Sequence, residues 1–410
     1  MMAFMATLLL VWLLLVVALL LRWRQLLLSL WAEPVLRRPV LIIESDDWGA
    51  GPPEQDQALR RLAACLSSYR DRDGRHPVMT LGVVLASVDA QAMQANDLGE
   101  YQRLSLADAR YDALRQAMAD GVAAGVFAIQ LHGMEHYWPP ALMQEAEYDF
   151  SLRKWLTSAP YPRTEHLPSH LQSRWISAAL LPSRPLTDDQ ISTAVADETR
   201  CYRELFPQVD QVVVPPTFVW DRRVERAWAQ HGIQVIVTPG RRYEGRDAVG
   251  RIMPAVERMF NGQRNGDGQV YIVRDIYFEP AQGHTAERAI AGFRDKAAAG
   301  RPTLLETHRF NFLDEKREAA LNELTTLLER ALQEAPDLAF ISTAELARLY
   351  RDKDPHWFTD TAAARVHALI QRCRQEYRLW RHFKIIGLAP VLAGVARLLR
   401  PQATTQVGAP

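Results

Sequence analysis

Five residues in this chain have the types and spacing that hydrolysis at a metal requires. Asp46 and Asp47 are adjacent at the end of the apolar run Val40-Leu41-Ile42-Ile43. Two neighbouring carboxylates repel each other and desolvate poorly, so the pair is unfavourable at a buried strand end unless a cation lies beside it. A second apolar run, "VFAIQL" at 126–131, delivers His132 and His136 in "HGMEH". Histidines four apart on one helical turn point the same way and can share an ion. With one carboxylate they make a three-ligand zinc site whose remaining positions stay open to water and substrate. A cation there would explain the Asp pair: one Asp ligates it and the other is left as a base. A further run, "TLLETHRF" at 303–310, delivers His308.

These residues need elements that end at one face. Apolar runs predict strands at 40–45, 78–86, 126–131, 210–214, 233–238, 270–273, 302–307 and 338–342. Helical patterns fall between them at 54–70, 107–123, 190–205, 221–231, 284–297, 314–333 and 343–352. Continuous apolar strands alternating with helices indicate a parallel sheet covered on both faces, and seven or eight such units suit a (β/α) barrel. Chemistry in such barrels sits at the C-terminal ends of strands, where all five residues fall. The stretch 137–189 breaks the alternation and is rich in Pro, Trp and Tyr, including Tyr137, Trp138, Trp155, Tyr161 and Trp175. It reads as a small subdomain of mutually packed rings, or as a lid that stacks on sugar faces. The pair His166 and His170 lies inside it and is expected at the surface.

Across about residues 40–350 the chain resembles the NodB-like polysaccharide deacetylases, carbohydrate esterase family four. The family's first motif is similar to Ser45-Asp46-Asp47-Trp48-Gly49, with Trp48 inserted before the glycine. Its second motif matches His132-Gly133-Met134-Glu135-His136 in spacing. Its third looks like Val214-Pro215-Pro216-Thr217, lacking the family's Arg and Tyr. Its last resembles Leu304-Leu305-Glu306-Thr307-His308, with Glu306 where a Leu usually lines the acyl pocket. The resemblance implies a deformed (β/α)7-8 barrel of the NodB-homology type. It implies Asp46 as general base, Asp47, His132 and His136 as ligands of a divalent metal, most simply Zn2+, and His308 as general acid. Thr217 would offer an oxyanion N–H, and Trp48, Arg274 and Asp275 are further substrate-side candidates. Arg274-Asp275 or Arg309 would stand in for the missing third-motif Arg. The implied reaction is removal of an N-acyl group, acetyl in the simplest case, from an amino sugar of a polysaccharide or lipid-linked glycan.

Residues 1–22 form a candidate transmembrane anchor, because Met1 to Leu21 carries no charged side chain and is long enough to cross a bilayer. A cleavable signal would want a basic start and a small-residue cleavage site, and neither is present. Arg22, Arg24, Arg37 and Arg38 follow the span, through a basic juxtamembrane linker at 23–39, which favours a cytoplasmic catalytic domain. The expected domain limits are 40–352 for the barrel and 353–410 for a basic, partly amphipathic helical extension, which lies on an anionic leaflet or packs on its own domain. Lys+Arg and Asp+Glu balance at 48 each, so no global field marks a nucleic-acid binder. Cys65, Cys201 and Cys373 show no paired spacing, which argues against disulfides and a cysteine-built zinc site.

Two rival readings remain. His132-Gly-Met-Glu135-His136 also fits H-x-x-E-H, a metalloprotease signature in which Glu135 is the base, although that signature belongs inside a long helix. The altered third motif also fits a membrane-anchored carbohydrate-binding protein that keeps the fold without turnover.

Overall fold

The computed structural model describes residues 1–158, 161–208, 210–313 and 315–399. Residues 159–160 of the aromatic stretch, Asp314 at the start of the expected 314–333 helix, and residues 400–410 of the C-terminal extension lie outside the described residues. The chain divides into two compact units, one of residues 40–293 and 303–351, the other of 1–39, 294–302 and 352–410.

The first unit is built on nine strands: β1 (Val40–Gly49), β2 (Met79–Val84), β3 (Phe127–Leu131), β4 (Val212–Val213), β5 (Val235–Thr238), β6 (Val270–Val273), β7 (Ile276–Tyr277), β8 (Thr303–His308) and β9 (Ala339–Phe340). Eight run in the order β6-β5-β4-β3-β2-β1-β8-β7 with parallel pairing throughout, and β9 pairs with the start of β1. Every residue of β1 is buried, as expected for a parallel strand covered on both faces. The two ends of this sheet belong to one stretch of chain. Residues 270–273 pair with β5, residues 276–277 pair with β8, and only Arg274-Asp275 separates them. The architecture is therefore a deformed (β/α) barrel of seven staves.

The surrounding helices each turn one apolar stripe inward. Leu59, Leu62 and Leu66 do so in the helix Gln55–Ser67, and Leu324, Leu327, Leu328 and Ala331 in Arg317–Glu334. Each strand read from the sequence meets an observed one, but those at 210–214 and 338–342 shrink to two residues each. The irregular additions were not legible: β7, and the antiparallel pairs 86–88 with 103–105, 176–177 with 184–185, and 241–242 with 257–258.

In the second unit, the helix Met2–Arg22 has a mean hydropathy of 3.0 and no buried residue, and it is long and apolar enough to cross a membrane. The stretch read as a linker contains a second helix, Arg24–Ala32. Arg372 fastens it: this buried guanidinium donates to the carbonyls of Leu30 at 2.8 Å and Glu33 at 2.7 Å. Helices Tyr377–Ile385 and Leu388–Leu398 meet at a bend of 109°, where Gly387 takes a positive φ of 72°.

Candidate active site

The carboxylate pair owes its aim to a backbone irregularity. Ser45 of β1 pairs with Leu81 of β2, whereas Trp48 pairs with Val83, so β1 carries one extra residue between those points. This is a β-bulge, and Asp47 within it takes a positive φ of 71°, a conformation Asp tolerates better than most residues. Side chains alternate faces along a regular strand. The bulge breaks that alternation and lets two consecutive carboxylates line the same cleft. Gly82 of β2 makes room, because a Cβ at that position would overlap the Asp46 carboxylate.

His132 and His136 are not on a helix. Gly133 takes φ 94°, and the backbone carbonyls of Gly133 and Met134 accept hydrogen bonds from Leu85 and Ala86 rather than closing a helical turn. This loop still brings the imidazoles together, with ring centroids 4.9 Å apart. The Nε2 atoms of both histidines lie 3.4 Å from Asp47 Oδ1. His132 Nδ1 is 2.7 Å from the Val214 carbonyl, which fixes the tautomer and leaves Nε2 facing the cluster. Burial pushes His136 down to about 4, so it is neutral near pH 7. Burial opposes the charge on Asp47, but His136 and His132 outweigh it and hold the carboxyl well below its ordinary range.

Asp47 Oδ1 and His132 Nε2 are buried without a hydrogen-bond partner. Orphaned polar atoms converging from two residues are what a cation would satisfy. Asp47, His132 and His136 can each offer a donor atom within 4.8 Å of the others. Two imidazoles and one carboxylate suit a catalytic zinc, so the residues fit the expected metal.

Asp46 turns to a different partner. Arg274, in the link between β6 and β7, donates to its two oxygens at 2.6 and 3.1 Å and to Glu44 at 2.9 Å. Burial works against the Asp46 charge, yet Arg274, with His132 behind it, lowers its pKa overall. Three carboxyls, Glu44, Asp46 and Glu306, surround this one guanidinium, and burial pushes Glu44 upward and Glu306 up to about 7. Asp46 is thus the member of the trio whose charged form the surroundings favour.

His308 ends β8 in direct register with Asp46. Its Nδ1 lies 2.6 Å from Glu279 Oε1. Burial disfavours the imidazolium, but Glu279 and the two Asp carboxylates lift it to about 10. Glu279 is itself held by Asn311. Neither residue announces itself in the sequence, because each is set by a fold contact about thirty positions away.

These groups share a cleft of about 910 Å³. The aromatic stretch closes one side. Its rings pack inward, with Tyr137 edge-on to Trp155 and Trp175 edge-on to Trp228, while Glu165, Ser169 and Gln172 face the cleft. Glu165 ties it to the barrel through Arg309, which also donates to the Asp47 carbonyl. His170 pairs with Glu145 at 3.2 Å, away from the cluster.

Thr217 lies on the cleft wall with a positive φ of 54°, its hydroxyl 2.7 Å from Ser173 Oγ. Two of the expected substrate-side candidates are elsewhere. Trp48 is fully buried with its indole N–H on Ser45 Oγ, so the core takes it rather than the cleft. Asp275 is exposed outside the cleft lining, because the chain turns over between β6 and β7 and only Arg274 faces inward. Glu135 is fully buried between Arg103 at 2.5 Å and Arg174 at 2.7 Å, which removes the base that an H-x-x-E-H protease needs.

No family model and no curated protein matches the chain. Solved structures similar to it include a family 4 acetyl xylan esterase from Clostridium thermocellum in complex with cobalt, at 13% identity and TM-score 0.36, covering 76% of this chain and 91% of that one. Peptidoglycan deacetylase PdaC from Bacillus subtilis is similar at 8% identity and TM-score 0.35, over 79% of this chain and 95% of that one. The Puue allantoinase is similar at 12% and 0.39, over 78% and 92%. Likeness at this level assigns neither activity nor substrate.

Proposed function

We propose that the chain is a metal-dependent hydrolase that removes an N-acyl group, acetyl in the simplest case, from an amino sugar of a polysaccharide or lipid-linked glycan. The observation that carries this reading is the division of labour at the mouth of the ring. An Asp-His-His cluster with orphaned donor atoms lies between an ionised Asp46 and a charged His308.

Asp47, His132 and His136 would hold the cation, which when bound supplies a Lewis acid for the amide carbonyl and acidifies the attacking water. Asp46 takes the proton from that water, and Arg274 keeps it ionised and oriented to do so. As the C–N bond breaks, His308 gives a proton to the departing amine, which would otherwise be a poor leaving group. Glu279 fixes the imidazolium that makes this donation. The Thr217 N–H is the candidate donor to the developing oxyanion. Arg274, from the link between β6 and β7, would take the role of the missing third-motif arginine, which weakens that departure as support for a non-catalytic binding protein. The helix Met2–Arg22 would anchor the enzyme, and the arginines that follow it favour a cytoplasmic active site.

The test is release of free amine from N-acetylated oligosaccharides by the full-length protein, with metal analysis of the same samples. His132→Ala is expected to lose both metal and activity, and Asp46→Ala to keep the metal while releasing no amine. A wild-type protein that binds no metal under zinc-replete conditions overturns the reading.

A further inference from the structure

One cation on the cleft wall has no role in the reaction above. Arg246 is 2% exposed and lines the same cleft, yet its bonds go only to neutral groups: Nε to Ser173 Oγ at 3.2 Å, and Nη1 to Ser169 Oγ at 3.3 Å and the Gly250 carbonyl at 2.9 Å. Among the described residues no carboxylate pairs with it. Burial alone acts on its pKa, and acts downward. The carboxylates of the cleft are engaged elsewhere, Glu165 with Arg309 and Asp46 and Glu306 with Arg274. Arg241 lines the cleft as well, exposed and without an ion pair among the described residues. A buried guanidinium without a counter-charge is unfavourable in the free protein. Ser173 also bonds to Thr217, so Arg246 stands two side chains from the proposed oxyanion donor.

We propose that Arg246, with Arg241 at the cleft mouth, binds an oxyanion carried by the substrate, so that the N-acylated glycan is an anionic one. This rests on the hydrolase reading and narrows its substrate class. The oxyanion is either a carboxylate within the glycan or a phosphate on the sugar. Either accepts from Nη2, the one guanidinium nitrogen of Arg246 with no hydrogen bond among the described residues, and supplies the missing counter-charge.

Equilibrium binding to the full-length, detergent-solubilised protein tests this without reference to turnover, using two matched pairs of probes. One pair is N-acetylglucosamine 1-phosphate and methyl N-acetylglucosaminide, and the other is a glucuronate-containing hyaluronan tetrasaccharide and chitotetraose. In at least one pair the anionic member is expected to bind about tenfold more tightly, and the pair that shows the gap names the source of the charge. Arg246→Gln should abolish that gap and Arg246→Lys should restore part of it, which loss of packing alone would not produce. Should Arg246→Gln fail to fold, the exposed Arg241→Gln carries the test and should narrow the gap about threefold. Equal binding within both pairs, or a gap that survives in the glutamine variant, overturns the proposal. Amine release by the same samples is scored separately, so a failed oxyanion site and a failed hydrolase reading give different results.

Discussion

Arg274 grips both oxygens of Asp46, at 2.6 and 3.1 Å, across 228 residues of sequence. The contact does two things at once. It orients the carboxylate toward the cleft, and it supplies the positive charge that lets a fully buried Asp stay ionised beside Glu44 and Glu306.

Replacing Arg274 with Gln should therefore disable the base rather than the metal site. Without the guanidinium, burial raises the Asp46 pKa and the carboxyl takes up a proton. Turnover is expected to fall about 10²- to 10³-fold at neutral pH, and the acid limb of the pH–rate profile should move upward, with metal content unchanged. Steady-state kinetics and metal analysis on one preparation decide it, and an unmoved acid limb would count against the assignment.

Gly82→Ala tests the same carboxylate from the other side. The new methyl group would occupy the space of the Asp46 carboxylate, so Asp46 must rotate off Arg274. We expect a loss of turnover comparable to that of Arg274→Gln, while Leu81 and Val83 keep their pairing and the metal stays bound. A crystal structure of the variant would show the displaced carboxylate, and full activity would show that the overlap is absorbed elsewhere.

The sequence made the ring and the five polar residues at its mouth legible, because strand ends follow from where apolar runs stop. Of their supports it offered Arg274 as a stand-in for the missing arginine, but it hid Glu279, whose partner His308 lies on β8 about thirty positions away. The His pair was read as helical because i, i+4 spacing suggests it, whereas Gly133 at φ 94° and hydrogen bonds to Leu85 and Ala86 impose a loop with the same convergence. Trp48 looked like a substrate contact because it follows the Asp pair, but the bulge turns it into the core.

Glu135→Gln separates the two hydrolase readings. It would remove a buried counter-charge from Arg103 and Arg174, a loss of about 3–5 kcal/mol of stability for a broken buried pair. Denaturant unfolding should show that drop. The folded fraction should still release amine at close to the wild-type rate, whereas a protease using Glu135 as base would be inactive.

His308 gives a pH signature in chelator-treated protein. Its folded-state pKa is raised from 6.5 to about 10, chiefly by Glu279 against the opposing effect of burial. A raised histidine pKa stabilises the folded state fully below 6.5, and that contribution disappears as pH climbs through 10. Melting temperature should decline across this window in the wild type and decline less in His308→Gln. Identical slopes would show that the Glu279 contact contributes nothing to stability.

The stretch 270–277 is the keystone of the ring, since it alone joins the β5 side to the β8 side. Arg274 sits at its midpoint. In the proposed hydrolase, the charge that keeps the base ionised would thus come from the same stretch that closes the ring, so the base and the closure of the barrel depend on one segment.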